Sequence, residues 1–411
     1  MAQGRLRWSF LIIVILLLIG CSIFQPVRPV QLTPANAVAS APAGASLPAS
    51  VGIDLGAPQQ VFQFGQPDAM GMFNVPDMHT AVLRQPDKSY LLWITGNIGP
   101  SGGSIAKLST RDFIQYQNAG PGTQTKAGPV MSPGCPKGSP SCRQDYDADY
   151  VGANSVITAG NGSDLLMFYE AGNQTMGTGK PGGWEYNVMA LARSSDNGLT
   201  WARQGVVVSG PDPKPGSVGT AQPGISEPGA IVADGYIYMF FQYVPNLDSE
   251  PEAPSVIQVA RAPLATDGVP GAWAKYYNGA WGEPGLAGRG AAIVATGKAS
   301  GCTRPVQIWP AFSTYLNAYV LTFLCNEGWF FSMSTDLVTW SSPTRFLDMP
   351  MWRPCQPMDM NYILVTPGEP GGVIDRTGYV LYAHTDHKGL TCDKFYPHEL
   401  WVRPFTFTGG P

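Results

Sequence analysis

Three acidic side chains each stand at the start of an apolar, strand-like segment, at corresponding places in successive stretches of the chain. They are Asp77, an aspartate within residues 145–149, of which Asp149 lies nearest the strand, and Glu227. Carboxyl groups that converge in one site push their pKa values apart, so that one serves as acid and another as base or nucleophile. Hydrolysis of a glycosidic bond requires this combination.

These acids also have a structural alternative, because an acid at the start of a strand often caps or hydrogen-bonds the local backbone. In the second stretch, Asp145 or Asp147 could occupy the position that we assign to Asp149. The catalytic interpretation and the structural one therefore both stay open at the level of sequence.

Several side chains near the same segment starts could contact a sugar. Aromatic rings offer stacking faces, and cationic or imidazole groups offer hydrogen bonds to hydroxyl or carboxylate groups. The candidates are His79, Tyr150, Trp309, Arg304, Trp352 and Arg353. Packing between structural units is the alternative for each of them.

Other kinds of chemistry find little support. The chain has no G-x-S-x-G motif and no phosphate-binding or dinucleotide fingerprint. Its net charge of −4 and the lack of a basic stripe argue against nucleic acid as a partner. A metal site on His384, Asp386 and His387 is conceivable, but its spacing within a loop is loose, and we predict no metal site.

The elements that position these residues recur along the chain. Leu-Ala-Arg-Ser-Ser-Asp-Asn-Gly-Leu-Thr-Trp at 191–201 has weaker copies, in steps of 85, 68, 72 and 70 residues. The equivalent positions are Leu108, Arg193, Arg261, Met333 and Arg403. Each unit combines apolar runs with tight-turn signals, such as Asp234-Gly235. Five such units predict an all-β chain, a five-bladed β-propeller of four-stranded antiparallel blades.

Residues 194–201 match the pattern S-x-D-x-G-x-T-W and resemble the Asp-box of sialidase-like propellers. The expected role is structural: Ser194 and Asp196 bond the backbone of a tight hairpin, Gly198 takes a positive φ, and Trp201 packs between blades. Asp196 is therefore predicted to be a turn residue rather than a catalyst.

Residues 70–407 resemble the five-bladed glycoside hydrolases of families 43, 62 and 117, on the three acids and on the phrases at 227–241 and 334–340. The resemblance implies Asp77 as general base, Asp149 as orienting and pKa-tuning acid, and Glu227 as general acid. Asp77 departs from the usual Asp-Pro, since Met78 follows it. We find no match for the blade-five histidine that binds a central ion in many relatives. We expect no required cofactor, although the resemblance leaves room for a central Ca or Na ion.

The N-terminus has the features of an export signal. Arg5 and Arg7 precede an apolar run, and Gly20-Cys21 resembles a bacterial lipobox, in which Cys21 would be lipidated. An uncleaved membrane anchor is the alternative. We predict a signal peptide at 1–20, a flexible tether at 21–60 rich in Pro, Ala and Ser, and the propeller at 61–411. The protein would be extracytoplasmic, held to the cell membrane by the lipid only, and monomeric, with carbohydrate as its partner.

Six cysteines remain after Cys21, and an even number in an exported chain suggests disulfides. Fifteen pairings are open, and metal ligation is an alternative that lacks a CxxC pair. Our preferred pairs are Cys135 with Cys142, Cys302 with Cys325, and Cys355 with Cys392.

Overall fold

The computed structural model is almost entirely β-structure. It describes residues 46–62, 70–98, 101–134, 146–173, 186–211, 224–244, 255–349, 357–385 and 398–410. Within those residues the only helical segments are two 3₁₀ turns, Leu264–Thr266 and Lys298–Ser300. No helix in the described part of the chain is long and apolar enough to cross a membrane.

The strands form five blades. In chain order they are β1 (Gly52–Leu55), β2 (Gln59–Gln60), β3 (Ala81–Arg84), β4 (Tyr90–Ile98), β5 (Ser101–Thr110), β6 (Tyr116–Asn118), β7 (Gly122–Thr123), β8 (Lys126–Ala127), β9 (Tyr150–Thr158), β10 (Leu165–Asn173), β11 (Tyr186–Ser194), β12 (Ala202–Val208), β13 (Gly224–Ala233), β14 (Tyr236–Val244), β15 (Val256–Pro263), β16 (Ala274–Tyr277), β17 (Ala280–Pro284), β18 (Val306–Ser313), β19 (Ala318–Cys325), β20 (Gly328–Ser334), β21 (Thr344–Asp348), β22 (Met358–Val365), β23 (Val373–Ile374), β24 (Thr377–Thr385) and β25 (Glu399–Thr408).

Blade one is β3–β6 and blade two is β9–β12, with the small β7–β8 hairpin between them. Blade three is β13–β16, extended by β17, and blade four is β18–β21, with β23 beside β18. Blade five combines β22, β24 and β25 with β1. The predicted β-propeller is confirmed, and the five equivalent positions of the repeat all fall on the third strand of a blade, β5, β11, β15, β20 or β25.

The apolar runs form strands that are covered on both faces, because neighbouring blades stack against one another. Every residue of β10 and of β19 is buried. The Asp234-Gly235 turn, with both residues at positive φ, joins β13 to β14 as the sequence predicts.

The ring of blades is closed by an N-terminal strand. β1 pairs antiparallel with β25, from Gly52 opposite Thr408 to Leu55 opposite Phe405, and so forms the outer edge of blade five. The propeller therefore begins before residue 61, and the tether boundary predicted from composition is wrong. The alternation of buried Val51 and Ile53 with exposed Asp54 is the strand signal that the Pro- and Ala-rich surroundings obscured.

The turn at 194–201 is stabilised by its own side chains. The Asp196 carboxylate accepts hydrogen bonds from the backbone N–H groups of Leu199 (3.0 Å) and Thr200 (2.9 Å), and from the Ser194 hydroxyl (2.7 Å). The Gly198 N–H donates to the Ser194 hydroxyl at 2.8 Å. Asp196 is a turn residue, in agreement with the prediction.

A tryptophan after this turn packs edge-on against an aromatic ring in the second strand of the preceding blade. The same contact occurs between blades one and two, two and three, and three and four, with ring centroids 5.5–5.9 Å apart. The pairs are Trp201 on Trp93, Trp273 on Phe168, and Trp340 on Phe240. The repeated phrase thus holds successive blades together.

A disulfide joins Cys302, just before β18, to Cys325, at the end of β19. This confirms one of the three predicted pairs and shows that it lies within blade four. The other two pairs, Cys135 with Cys142 and Cys355 with Cys392, fall outside the described residues, as does Cys21.

We predict that Asp196→Ala lowers the free energy of unfolding by about 2 kcal/mol, because several turn N–H groups lose their acceptor. Chemical denaturation monitored by tryptophan fluorescence measures the change. Asp54→Ala is the matched control, since Asp54 is exposed on the edge strand β1. Equal stability of the two variants would contradict the structural role of Asp196.

We also predict that a chain starting at residue 61 unfolds at a clearly lower temperature than one starting at Ser46. The shorter chain loses β1, and with it the backbone partners of β25 and the buried side chains of Val51 and Ile53. Differential scanning calorimetry of the two chains compares them. Equal melting temperatures would show that blade five does not need the N-terminal strand.

Candidate functional site

The inner strand of four blades carries a β-bulge at the same level. The register of the inner strand breaks at Asn154 in β9, at Glu227 in β13, at Gln307 in β18 and at Asn361 in β22. In blade one, His79 lies just before β3. The bulges bring a ring of polar side chains to the propeller axis.

Glu227 is the member of this ring that carries a carboxyl group, and the pKa of that group is perturbed. Its Oε2 accepts a hydrogen bond from the backbone N–H of Gln307 at 2.5 Å, and its own backbone N–H donates to Oε2 of Glu170. Its recessed position raises the pKa of the carboxyl to about 7, against the opposing effect of the Gln307 hydrogen bond. Since Oε2 is occupied, a proton on this carboxyl is expected on Oε1.

The backbone of Glu227 is left-handed, with φ of 49°, but this conformation is not special to catalysis. Gln307 and Asn361, at the same level of blades four and five, have φ of 54° and 59°. The N–H of Asn361 also donates to a side chain of the preceding blade, at 2.9 Å from Oε1 of Gln307. The bulges therefore form a relay of hydrogen bonds between blades, and Glu227 is the member that carries a carboxyl group.

Glu170 is a buried acid that sequence reasoning missed. It lies in β10, opposite Gly152 of β9, and its Oε1 accepts a hydrogen bond from the Asn187 side chain at 2.8 Å. A charged residue within the apolar run of β10 was the available signal. Its second oxygen fixes the backbone of Glu227.

Asp77 lies at the same end of the inner strands, just before β3. Its backbone carbonyl accepts a hydrogen bond from the Tyr150 hydroxyl at 3.0 Å, and its side chain remains 27% exposed. The Nδ1 atom of His398, which enters from blade five, is 3.6 Å from its Oδ1. Burial lowers the pKa of His398 to about 4, so the ring is neutral beside the carboxyl at neutral pH. Sequence reasoning gave His398 no role.

The two described aspartates before β9, Asp147 and Asp149, make different contacts. Asp147 is buried, accepts a hydrogen bond from the Tyr169 hydroxyl, and forms an ion pair with Arg203 of the outer strand β12 at 2.5 Å. Asp149 is buried beside Tyr150, and its backbone N–H donates to the Gly172 carbonyl at 3.1 Å. Asp147 is therefore engaged in blade two, Asp145 lies outside the described residues, and Asp149 stays the candidate for this position.

A series of contacts links Asp77 to Glu227. Tyr150 contacts Asp77 through its hydroxyl and lies against Gly152, where an added Cβ would come within 2.8 Å of the ring. Gly152 pairs with Glu170, and Glu170 binds the backbone of Glu227. The hydroxyl of Tyr150, predicted to contact a sugar, is thus bonded within the protein.

Two predicted sugar contacts are buried instead. His79 has no exposed surface, and its ring lies against Trp309 with centroids 5.9 Å apart. Trp309 is only 4% exposed. Neither can contact a sugar in this structure, because packing at the axis covers both rings. Trp352 and Arg353 lie outside the described residues, and Arg304 lies in a side cleft between blades three and four.

The axis offers a poor donor set for a central calcium ion. Buried polar atoms near it that complete no hydrogen bond of good geometry include both ring nitrogens of His79, the indole Nε1 of Trp309 and the amide oxygens of Asn154 and Asn361. Calcium prefers six to eight oxygen ligands, carboxylates prominent among them. The described residues contain no cluster of three His, Cys, Asp or Glu side chains suited to a metal. This donor set does not fit a central calcium ion, and the sodium ion that the resemblance also allows stays an expectation.

One ring nitrogen of His384 is already paired within the protein. Its Nδ1 lies 2.6 Å from Oδ1 of Asp359, whose other oxygen accepts the Tyr362 hydroxyl at 3.0 Å. The other two residues of the conceivable metal site, Asp386 and His387, lie outside the described residues.

No protein-family model matches the sequence, and no curated protein matches it. Among solved structures, the chain is similar to an α-L-arabinofuranosidase from Lactobacillus brevis, with 12% identity, a TM-score of 0.51, and coverage of 84% of this chain and 96% of that one. It is also similar to a family 117 glycoside hydrolase produced by the marine bacterium Zobellia galactanivorans, with 12% identity, a TM-score of 0.50, and coverage of 87% and 90%. At this identity the likeness concerns the fold, and the chain has the β-propeller fold of these glycoside hydrolases.

We predict that stability falls as the pH is lowered from 6.5 towards 4. Burial lowers the pKa of His79 and of His398 to about 4, while the unfolded chain takes up these protons near 6.5. This histidine contribution is complete above pH 6.5 and is lost as the pH falls through that window, by about 1.4 kcal/mol per pH unit per histidine at most. The raised pKa of Glu227, about 7 against 4.5, acts in the opposite direction over this window and offsets about one of the two histidines. Urea unfolding across this range measures the slope. It should be smaller in His79→Gln, and an unchanged slope would contradict the burial of a neutral His79.

Proposed function

We propose that this chain is a glycoside hydrolase in which Glu227 is the general acid. The observation that carries the proposal is the state of this carboxyl group: it is recessed at the axis, one oxygen is held by the Gln307 N–H, and its pKa is raised to about 7. A carboxyl group with such a pKa keeps a large protonated fraction at mildly acidic and neutral pH, which proton donation to a leaving sugar requires.

In this proposal Oε1 of Glu227 gives its proton to the glycosidic oxygen as the bond to the sugar breaks. Asp77 acts as the base that takes a proton from the attacking water, since its side chain is partly exposed at the same end of the inner strands. For Asp149, which is buried beside Tyr150, the resemblance implies an orienting role. His398 and Tyr150 position Asp77.

We propose a substrate class from the proteins that share this fold. One neighbour is an α-L-arabinofuranosidase, so arabinofuranosides come first in a test panel, followed by xylan, galactan and agar oligosaccharides. Non-catalytic carbohydrate binding is the alternative, and the same panel decides between the two.

We further propose export and lipid anchoring through Cys21, as the N-terminal sequence suggests. The Cys302–Cys325 disulfide supports an oxidising compartment, because disulfides persist outside the cytoplasm. The turn at 194–201 is proposed to belong to the Asp-box class, on its five matching positions and its hydrogen bonds.

We predict that Glu227→Gln lowers kcat/KM by about a hundredfold to ten-thousandfold, because the amide cannot donate the proton. In the wild type, kcat/KM should fall as the pH rises through about 7, where Glu227 loses its proton. Release of reducing sugar across pH 4–9 measures both effects. Glu283→Gln on the outer strand β17 is the matched control and should behave as the wild type.

Wild-type protein that binds oligosaccharides of the panel without releasing sugar would support the non-catalytic alternative. Full activity of the Glu227→Gln variant would remove Glu227 from the mechanism.

A further inference from the structure

A cleft of about 940 Å³ opens between blades three and four, and none of the three candidate catalytic acids lines it. One wall comes from the start of β15 and from the segment 292–298, and the other comes from blade four, including the turn after β20. This volume is in the range of sites that hold small ligands. The cleft is therefore separate from the acids at the axis.

The charged side chains that line this cleft are both cationic, Lys298 and Arg304, although the chain as a whole carries a net charge of −4. Neither forms an ion pair with another residue of the described part of the chain. No carboxylate lines the cleft itself, although Glu327 and Asp336 bond to Thr303 and Thr339 of the lining. Two cations in the lining of a concave surface favour an anionic ligand.

The two cations are held on one rigid frame. The Gly297 N–H donates to the Cys302 carbonyl at 2.6 Å, which ties the turn that carries Lys298 to the segment that carries Arg304. The disulfide from Cys302 to Cys325 fixes that segment to β19. A frame of this kind lowers the entropy lost on binding, as a built site requires.

The remaining lining suits a sugar ring. Tyr276 and Trp340 supply aromatic surface, and Thr296 supplies a hydroxyl group. Aromatic surface beside convergent polar groups is typical of saccharide sites.

We propose that this cleft binds an anionic saccharide unit, carboxylated or sulfated, through Arg304 and Lys298. The guanidinium of Arg304 forms a bidentate contact with the anionic group, and Lys298 adds a second charge. The ring of the sugar lies against Trp340. The site acts without the acids at the axis, so it does not rest on the proposed hydrolysis.

Isothermal titration calorimetry of the full chain carrying Glu227→Gln tests the proposal without turnover. The probes are a galacturonate trisaccharide, a sulfated galactan trisaccharide and a neutral galactan trisaccharide. We expect the carboxylated probe, the sulfated probe or both to bind, and the neutral probe to bind at least about tenfold more weakly. Arg304→Ala and Lys298→Ala should each lower the affinity for the acidic probe by about tenfold. Arg345→Ala, on the exposed strand β21, should leave that affinity unchanged.

Equal binding of acidic and neutral probes, or unchanged binding in Arg304→Ala, would overturn the proposal, as would no binding of either acidic probe. One further variant removes the carboxylates of Asp248, Glu250 and Glu252, which lie between β14 and β15 in the sequence. If acidic probes bind only to the variant Asp248→Asn/Glu250→Gln/Glu252→Gln, the two cations pair with the carboxylates of that segment in the wild type, and the proposal is wrong.

Discussion

The hydrogen bond from the Gln307 N–H to Oε2 of Glu227 is the contact on which the rest of the site depends. It joins blade three to blade four, and it fixes one oxygen of the carboxyl group whose pKa is raised by its recessed position. Without this donor, desolvation would raise the pKa further and leave the side chain free to rotate. The same bulge geometry recurs where the Asn361 N–H meets Gln307. The same hydrogen bond therefore joins two blades and fixes the candidate general acid.

Two kinds of contact hold the blades together. At the periphery, the turn tryptophans Trp201, Trp273 and Trp340 pack on rings of the preceding blade. At the axis, polar side chains bind the bulge N–H groups of the next blade. The first kind is apolar and tolerant of position, whereas the second requires oxygen acceptors at defined places. This difference explains why a carboxyl group can be kept at the axis without a cationic partner.

The sequence predicted the fold well because the propeller repeats. Its hairpin turns, the phase of its third strands and the Cys302–Cys325 pair all follow from local patterns. The strand β1 was missed because its alternation is short and lies in a Pro- and Ala-rich segment. The prediction rested on local composition, whereas β1 is formed by pairing with β25, which lies more than 340 residues away along the chain.

The candidate site was predicted less completely, because it depends on which way each side chain turns at a bulge. Glu170 and His398 reach the site from outside the inner strands, where no motif marks them. His79 was predicted to face a substrate but is buried at the axis, and Arg304 faces a side cleft. A one-residue change in bulge position reverses the face that a strand residue presents, and sequence spacing alone does not fix that position.

The most direct measurement is a carboxyl ¹³C NMR titration of protein labelled at glutamate, with Glu227→Gln used to assign the resonance of Glu227. We expect a midpoint near pH 7 for this single carboxyl group. A midpoint near the ordinary value of 4.5 would contradict its role as general acid, because Glu227 would then be ionised at the pH where it must donate a proton.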